Sequence, residues 1–312
     1  MRILITGGFG FIGGRLAQHL QHKDRHIVLG SRNVNTPHQW LQDVEVVETQ
    51  WSNYKKLEEI CDGIDVVIQA AGMNAQDCAV DPVAALEING VGTARLLKAA
   101  ISQRVKRFVY LSTAHVYSAC LTGKINENTC PHNLHPYATS HRAGEEVVLG
   151  GNNRGEIEGI VLRISNSFGA PAYKDVNCWM LLVNELCRQA VQSHELALNS
   201  SGLERRDFVP MTEVCRTIEF VSLGVFEGVI PQIINVGTGV SNTVLEMALL
   251  IREQFMGIYD FDLKLKRPSS SSEATGESLE YQVNLLKLTG YEASPDPRLE
   301  IKRLLIFCEK AF

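Results

Sequence analysis

No two of the eight cysteines stand in a Cys-x-x-Cys pair, and they are scattered along the 312-residue chain. That spacing speaks against a zinc or disulfide framework and fits the reduced thiols of a cytoplasmic protein. No metal-ligand set is read from the chain. No apolar run is long enough to span a bilayer. The first strand is expected to start at residue 2, so no secretory leader is expected. A basic stripe is also missing, and the net charge is −5, so a nucleic-acid partner is not expected. There is no internal repeat, and the only low-complexity tract, Ser269-Ser270-Ser271-Ser272, reads as a loop. What remains is an ordinary globular composition, 45% hydrophobic and 21% charged, long enough for one full domain and a smaller lobe.

The rest of the chain is organised around its start. Arg2-Ile3-Leu4-Ile5-Thr6 is a short apolar run of the kind that forms a buried strand. It breaks into Gly7-Gly8-Phe9-Gly10-Phe11-Ile12-Gly13, and a segment with helical spacing follows, with Leu16 and Leu20 on one face. Strand, glycine turn and helix form the context that a dinucleotide fingerprint requires. Glycines let the backbone approach a pyrophosphate and let the helix pack close to its strand. The first helical N–H groups, including those of Phe11, Ile12 and Gly13, then face the phosphate. Gly7-x-x-Gly10-x-x-Gly13 resembles the pattern of the short-chain dehydrogenase/reductase superfamily, and Gly-Gly-x-Gly-Phe-Ile-Gly resembles its extended branch.

Further motifs follow in that family's order. His26-Ile27-Val28-Leu29 reads as the second strand and ends in Gly30-Ser31-Arg32. An acidic residue here would hold the adenosine ribose; Ser31 and Arg32 instead suit a 2′-phosphate. This favours NADP over NAD, with a solvated loop arginine as the plain alternative. After the strand Val44–Val47 the family usually has an aspartate for the adenine amino group. Gln50 stands there and could serve through its carbonyl, while Trp51 could flank the adenine or belong to the core. The strand Ile64–Ile68 opens into Gln69-Ala70-Ala71-Gly72, whose small residues allow close approach to a cofactor; Gln69 replaces the family's usual histidine. A long helix is expected over Asp81–Ala100, although Gly90 and Gly92 inside it would each cost about 1 kcal/mol.

Phe108-Val109-Tyr110-Leu111 is the fifth strand. The resemblance places the catalytic hydroxyl at Thr113, four residues before Tyr117. Tyr137-Ala138-Thr139-Ser140-His141 resembles the family's Tyr-x-x-x-Lys helix, with His141 where the lysine belongs. The family's tyrosine exchanges a proton with the substrate oxygen during hydride transfer, and its lysine lowers the tyrosine pKa from about 10. Positions i and i+4 share a helix face, so His141 can sit beside Tyr137. An imidazole titrates near 6.5 and is shorter than lysine, so the activating charge is weakened unless a local acid restores it. His115 and His135 lie near the same motifs.

Asn166, Arg206 and Arg267 match positions that line the sugar pocket or hold the diphosphate in sugar-nucleotide members of the family. A salt bridge between Arg206 and Asp207 is the rival reading. The resemblance implies an α/β fold, a doubly wound parallel (Rossmann) sheet with a smaller C-terminal substrate lobe. The boundaries are residues 1–167 for the nucleotide-binding domain, to which a strand at 233–237 returns, and 168–312 mainly for the lobe. It also implies a cytoplasmic NADP(H)-dependent oxidoreductase acting on a nucleotide-linked sugar, by preference a 4-keto-sugar reductase. An NAD-dependent nucleotide-sugar 4-epimerase and a non-catalytic redox sensor stand as alternatives. A homodimer formed through the helices from Asp81 and from Tyr137 is expected, with no nucleic-acid or membrane partner.

Overall fold

The computed structural model describes residues 1–21, 24–34, 40, 44–226, 231–268 and 277–312. The serine tract at 269–272 lies outside the described residues.

The large sheet has seven parallel strands: β1 (Arg2–Thr6), β2 (His26–Ser31), β3 (Glu45–Glu48), β4 (Val66–Gln69), β5 (Arg107–Thr113), β6 (Glu158–Ile164) and β7 (Ile233–Val236). Their spatial order is β7-β6-β5-β4-β1-β2-β3. The central strands are mostly apolar because both faces of the sheet are covered there, while the edge strand β3 has exposed glutamates at both ends. Ile3, Ile5, Ile27, Leu29 and Ile68 enter one core layer, and Leu4, Val28 and Val67 enter the opposite one, as the period of two requires. The first layer is closed by helices Phe11–Leu20 and Met211–Leu223, the second by Tyr54–Cys61, Thr93–Ser102 and Pro136–Asn153. Met211–Leu223 therefore packs with the large sheet, although residues 168–210 intervene.

A separate core holds helices Leu182–Ser193, Val244–Tyr259 and Pro297–Ala311 around Phe168, Leu196 and Phe208. A three-stranded sheet of Asn166–Phe168, Arg205–Pro210 and Ser241–Thr243 joins this lobe to the large sheet.

The helix expected over Asp81–Ala100 is three pieces: Pro82–Ala85, a π-helical turn at Leu86–Gly92, and Thr93–Ser102. The widened turn carries Asn89 inward. Its side-chain oxygen accepts from Met73 N at 3.0 Å and its amide donates to Ser140 Oγ at 2.9 Å. Gly90 and Gly92 lie within this turn, the first against Ala143 and the second under the Trp51 ring. No helix among the described residues is long and apolar enough to cross a membrane.

Candidate active site

The strand order reverses between β1 and β4, and open α/β sheets bind ligands in the crevice at the carboxyl ends of the strands at such a reversal. The chain enters this crevice at Gly7, which has φ +63°, and a Cβ there would lie 2.8 Å from Ala71 N and Cα. Gly10 caps the helix Phe11–Leu20 without any side-chain hydrogen bond. The N–H groups of Phe11, Ile12 and Gly13 thus lack a side-chain cap at the positive end of the helix dipole, and they fit a pyrophosphate. Ala70, Ala71 and Gly72 form the opposite wall. Gln69 is buried and spoken for: Thr6 Oγ1 donates to its Oε1 at 2.5 Å, and its amide approaches Thr93 Oγ1 and Ala71 O at 3.4 Å. It ties β1 to β4 beneath the crevice.

At the end of β2, the Ser31 hydroxyl bonds the backbone of Asn33. Arg32 is exposed and makes no hydrogen bond or ion pair with the described residues. Gln50 bonds Glu48 at 2.8 Å, and the Trp51 ring lies 3.2 Å from where a Gly92 Cβ would be. Trp51 thus packs on the π-helical turn.

β5 delivers Thr113, which is buried, and the turn Ala114–Val116 begins there, with His115 N donating to Thr113 Oγ1 at 3.2 Å. The helix Pro136–Asn153 starts with proline at its first position and is capped by His135, whose Nδ1 accepts from Tyr137 N. This start sets Tyr137 near Thr113, whose side chain eases ionisation of the Tyr137 hydroxyl. One helical turn on, the His141 ring meets the Tyr137 ring edge-on, with centroids 4.6 Å apart. Thr113, Tyr137 and His141 are therefore brought together.

The electrostatics differ from those of a tyrosine–lysine pair. Burial pushes the Tyr137 hydroxyl above its usual value, and the Thr113 side chain only partly offsets this. His141 is 7% exposed, and burial alone lowers its pKa to about 4. No carboxylate supports a charge on it, so it is neutral at neutral pH. The Tyr110 hydroxyl lies 3.1 Å from His141 Nδ1 and 3.5 Å from Asn89 O. The ring is held through Nδ1, and its Cε1–Nε2 edge faces Gly72. Gly144 makes room for the Tyr110 contact, since a Cβ there would sit 2.5 Å from the Tyr110 hydroxyl. Tyr110, Asn89 and Gly144 were not among the sequence candidates. Their signals were a tyrosine in an otherwise apolar strand and glycines inside helical segments.

On the lobe side, Asp207 is buried but does not pair with Arg206. It accepts from Ser165 Oγ at 2.7 Å, Gly239 N at 2.8 Å, and the backbone and hydroxyl of Thr238. Arg206, half-buried, forms no ion pair among the described residues. Burial first, and then the positive charge of Arg206, lower the pKa of His115; the Asn166 amide donates to Asp207 O at 3.2 Å. Arg267 is exposed and donates to Ser201 O at 2.8 Å. Beneath the site Arg163 makes a two-point ion pair with Glu145, fastening β6 to the Tyr137 helix.

The sequence model described as the NAD dependent epimerase/dehydratase family matches residues 3–237. The chain belongs to that family. Among relatives of this epimerase/dehydratase chain, a dTDP-glucose 4,6-dehydratase from Streptomyces niveus is 26% identical over 262 residues, covering 80% of this chain and 76% of the dehydratase. The fold matches that of a UDP-glucuronic acid 4-epimerase from Bacillus cereus, solved with UDP-glucuronic acid and NAD, with a TM-score of 0.82 at 20% identity over 100% of both chains. It also matches RMD from Pseudomonas aeruginosa complexed with NADPH, with a TM-score of 0.77 at 21% identity over 99% of each chain. At these identities the two solved structures establish the fold that the family membership implies: a Rossmann sheet of the extended short-chain type.

Proposed function

We propose that this member of the family is an NADP(H)-dependent oxidoreductase that reduces the 4-keto form of a nucleotide-linked sugar. The observation that carries this reading is the uncharged pair of Tyr137 and His141. A tyrosine serves oxidation as a tyrosinate and reduction as a phenol. Tyr137 has burial against its ionisation and no cation beside it, so at neutral pH it holds its proton. Thr113 and Tyr137 together receive the substrate oxygen, and Tyr137 gives its proton as negative charge develops there. His141 turns its Nε2 edge toward the Gly72 side of the crevice, in place to bond a ribose hydroxyl of the cofactor. The nicotinamide, when bound, supplies the hydride.

NADP is favoured by the unpaired Arg32 and by the absence of an acid at the end of β2. Arg206 and Asn166, with Arg267 at the rim, form the side that receives the nucleotide diphosphate and sugar. The exposed valines Val80 (86%) and Val83 (67%), together with Leu86 and Val91, line the helical segment expected to form the homodimer.

The epimerase reading draws on the NAD in the solved neighbour. It requires the same tyrosine to take a proton and then return it, which the missing charge makes harder. The test is the cofactor that copurifies, identified by absorbance and mass. An empty site that takes up NADPH supports the reductase, and a tightly retained NAD would overturn it.

A further inference from the structure

The C-terminal lobe carries a cavity for which hydride transfer has no use. Its volume is about 650 Å³, and it is lined by Val191, His194, Phe255, Tyr259, Phe261 and Glu309. Small-molecule sites run from about 300 to 1,000 Å³. None of these residues belongs to the candidate active site. The parallel strands Glu195–Ala197 and Lys264–Lys266 set the two apart. His194 precedes one end of this pair and Arg267 follows the other, about 13 Å of strand away.

Two helix ends build the aromatic wall. The helix Leu182–Ser193 ends in His194, and Val244–Tyr259 ends in Asp260. Both capping residues are left-handed, with φ +53° and +51°. Glycine is the usual residue in that conformation at a helix end. A side chain stands there instead, and at His194 it forms part of the cavity. Its ring meets Phe261 edge-on, with centroids 5.3 Å apart. The turn at Asp260 folds Phe261 back to 6.4 Å from Phe255, and Tyr259 packs on Phe255 at 4.5 Å. Phe255 is buried in the lobe core and anchors this wall.

Glu309, near the end of the helix Pro297–Ala311, supplies the one carboxylate of the lining. The neighbouring acids are neutralised: Asp262 pairs with Arg252, and Glu195 with Lys266. Glu309 forms no ion pair among the described residues, and its partner is the Tyr259 hydroxyl at 3.1 Å. Burial, and then Glu309, push the Tyr259 pKa up to about 12, so the phenol is the donor in this bond. Aromatic rings attract cations through their π faces, and a carboxylate without a counter-ion adds charge to that attraction. We propose that the cavity is a second binding site, for a small organic ammonium ion. The ammonium meets Glu309, and the carbon body lies among Phe255, Tyr259 and Phe261. This site does not depend on the reductase reading above.

Isothermal titration calorimetry on the full chain tests this. The probes are choline, phenethylammonium and 3,3-dimethylbutan-1-ol, which has the shape of choline without its charge. Choline should bind about 10-fold or more tightly than the alcohol, and phenethylammonium should bind as well. Glu309→Gln should weaken binding of both ions about 10-fold or more. Phe261→Leu should weaken it about 3-fold or more. Both residues are exposed, so both variants should keep the wild-type thermal midpoint. The comparison with the alcohol uses the wild type and holds whatever the variants do. Binding of neither ion, equal binding of choline and the alcohol, or an unchanged affinity in a folded Glu309→Gln protein overturns the site. A trimethyllysine peptide binding more tightly than choline would make the occupant a protein side chain and overturn the small-molecule assignment.

Discussion

Replacing His141 should make the protein less sensitive to acid. The folded imidazole titrates near about 4, because burial opposes its charge, and the unfolded one near 6.5. Between these values the unfolded chain binds a proton that the folded chain refuses, so stability falls as the pH drops. The contribution is intact above about pH 6.5 and is lost progressively down to about pH 4. The whole separation is worth about 3 kcal/mol, of which about 2 kcal/mol is lost between about pH 7 and pH 4.5. His141→Gln keeps a polar group near Tyr110 but does not titrate. Urea unfolding of both proteins across this range should show the variant losing about 2 kcal/mol less than the wild type. Parallel loss in the two proteins would refute the reasoning, as would an NMR titration placing the His141 midpoint at or above the ordinary histidine value.

Arg32→Ala should weaken NADPH binding by about 1.5–3 kcal/mol and leave NADH binding nearly unchanged; equal losses by titration would remove Arg32 from the 2′-phosphate. Arg206→Ala and Arg267→Ala should each raise the dissociation constant for the sugar nucleotide while cofactor affinity holds. Arg206, half-buried beside His115, should matter more than the exposed Arg267, and no effect from either would reopen the substrate class. Light scattering at high protein concentration should give the mass of a dimer, and introducing a charge at the exposed Val83 should shift it toward the monomer. A monomer throughout would contradict the expected helix pairing.

The strands of the large sheet were legible because a sheet covered on both faces demands apolar runs, and each run ends in a turn whose residue types carry chemistry. Thr113, Tyr137 and His141 could be named together because one strand end and one helical turn place them. Partners from distant segments were not legible. Nothing in the sequence says that Tyr110 reaches His141, or that Asn89 ties the loop after β4 to the Tyr137 helix. The π-helical turn was hidden for the same reason: one extra residue in a helix leaves little trace in periodicity, and here the visible trace was two costly glycines. Asp207 shows the limit from the other side. Its neighbour Arg206 looked like a natural partner, yet the strand turns the Asp207 carboxylate toward Ser165 and Thr238. The return of Met211–Leu223 to the first core layer likewise depends on contacts that sequence spacing cannot express.

The central claim is that an uncharged Tyr137–His141 pair serves reduction of a nucleotide-linked ketone by NADPH. The most direct measurement is the loss of NADPH absorbance with a nucleoside-diphosphate 4-keto sugar, for the wild type, Tyr137→Phe and His141→Lys in parallel. The account predicts NADPH oxidation by the wild type, its abolition in Tyr137→Phe, and, in His141→Lys, faster oxidation of the alcohol in the reverse direction at neutral pH. Full activity in Tyr137→Phe, or interconversion of sugar epimers on a retained NAD with no consumption of NADPH, would contradict it.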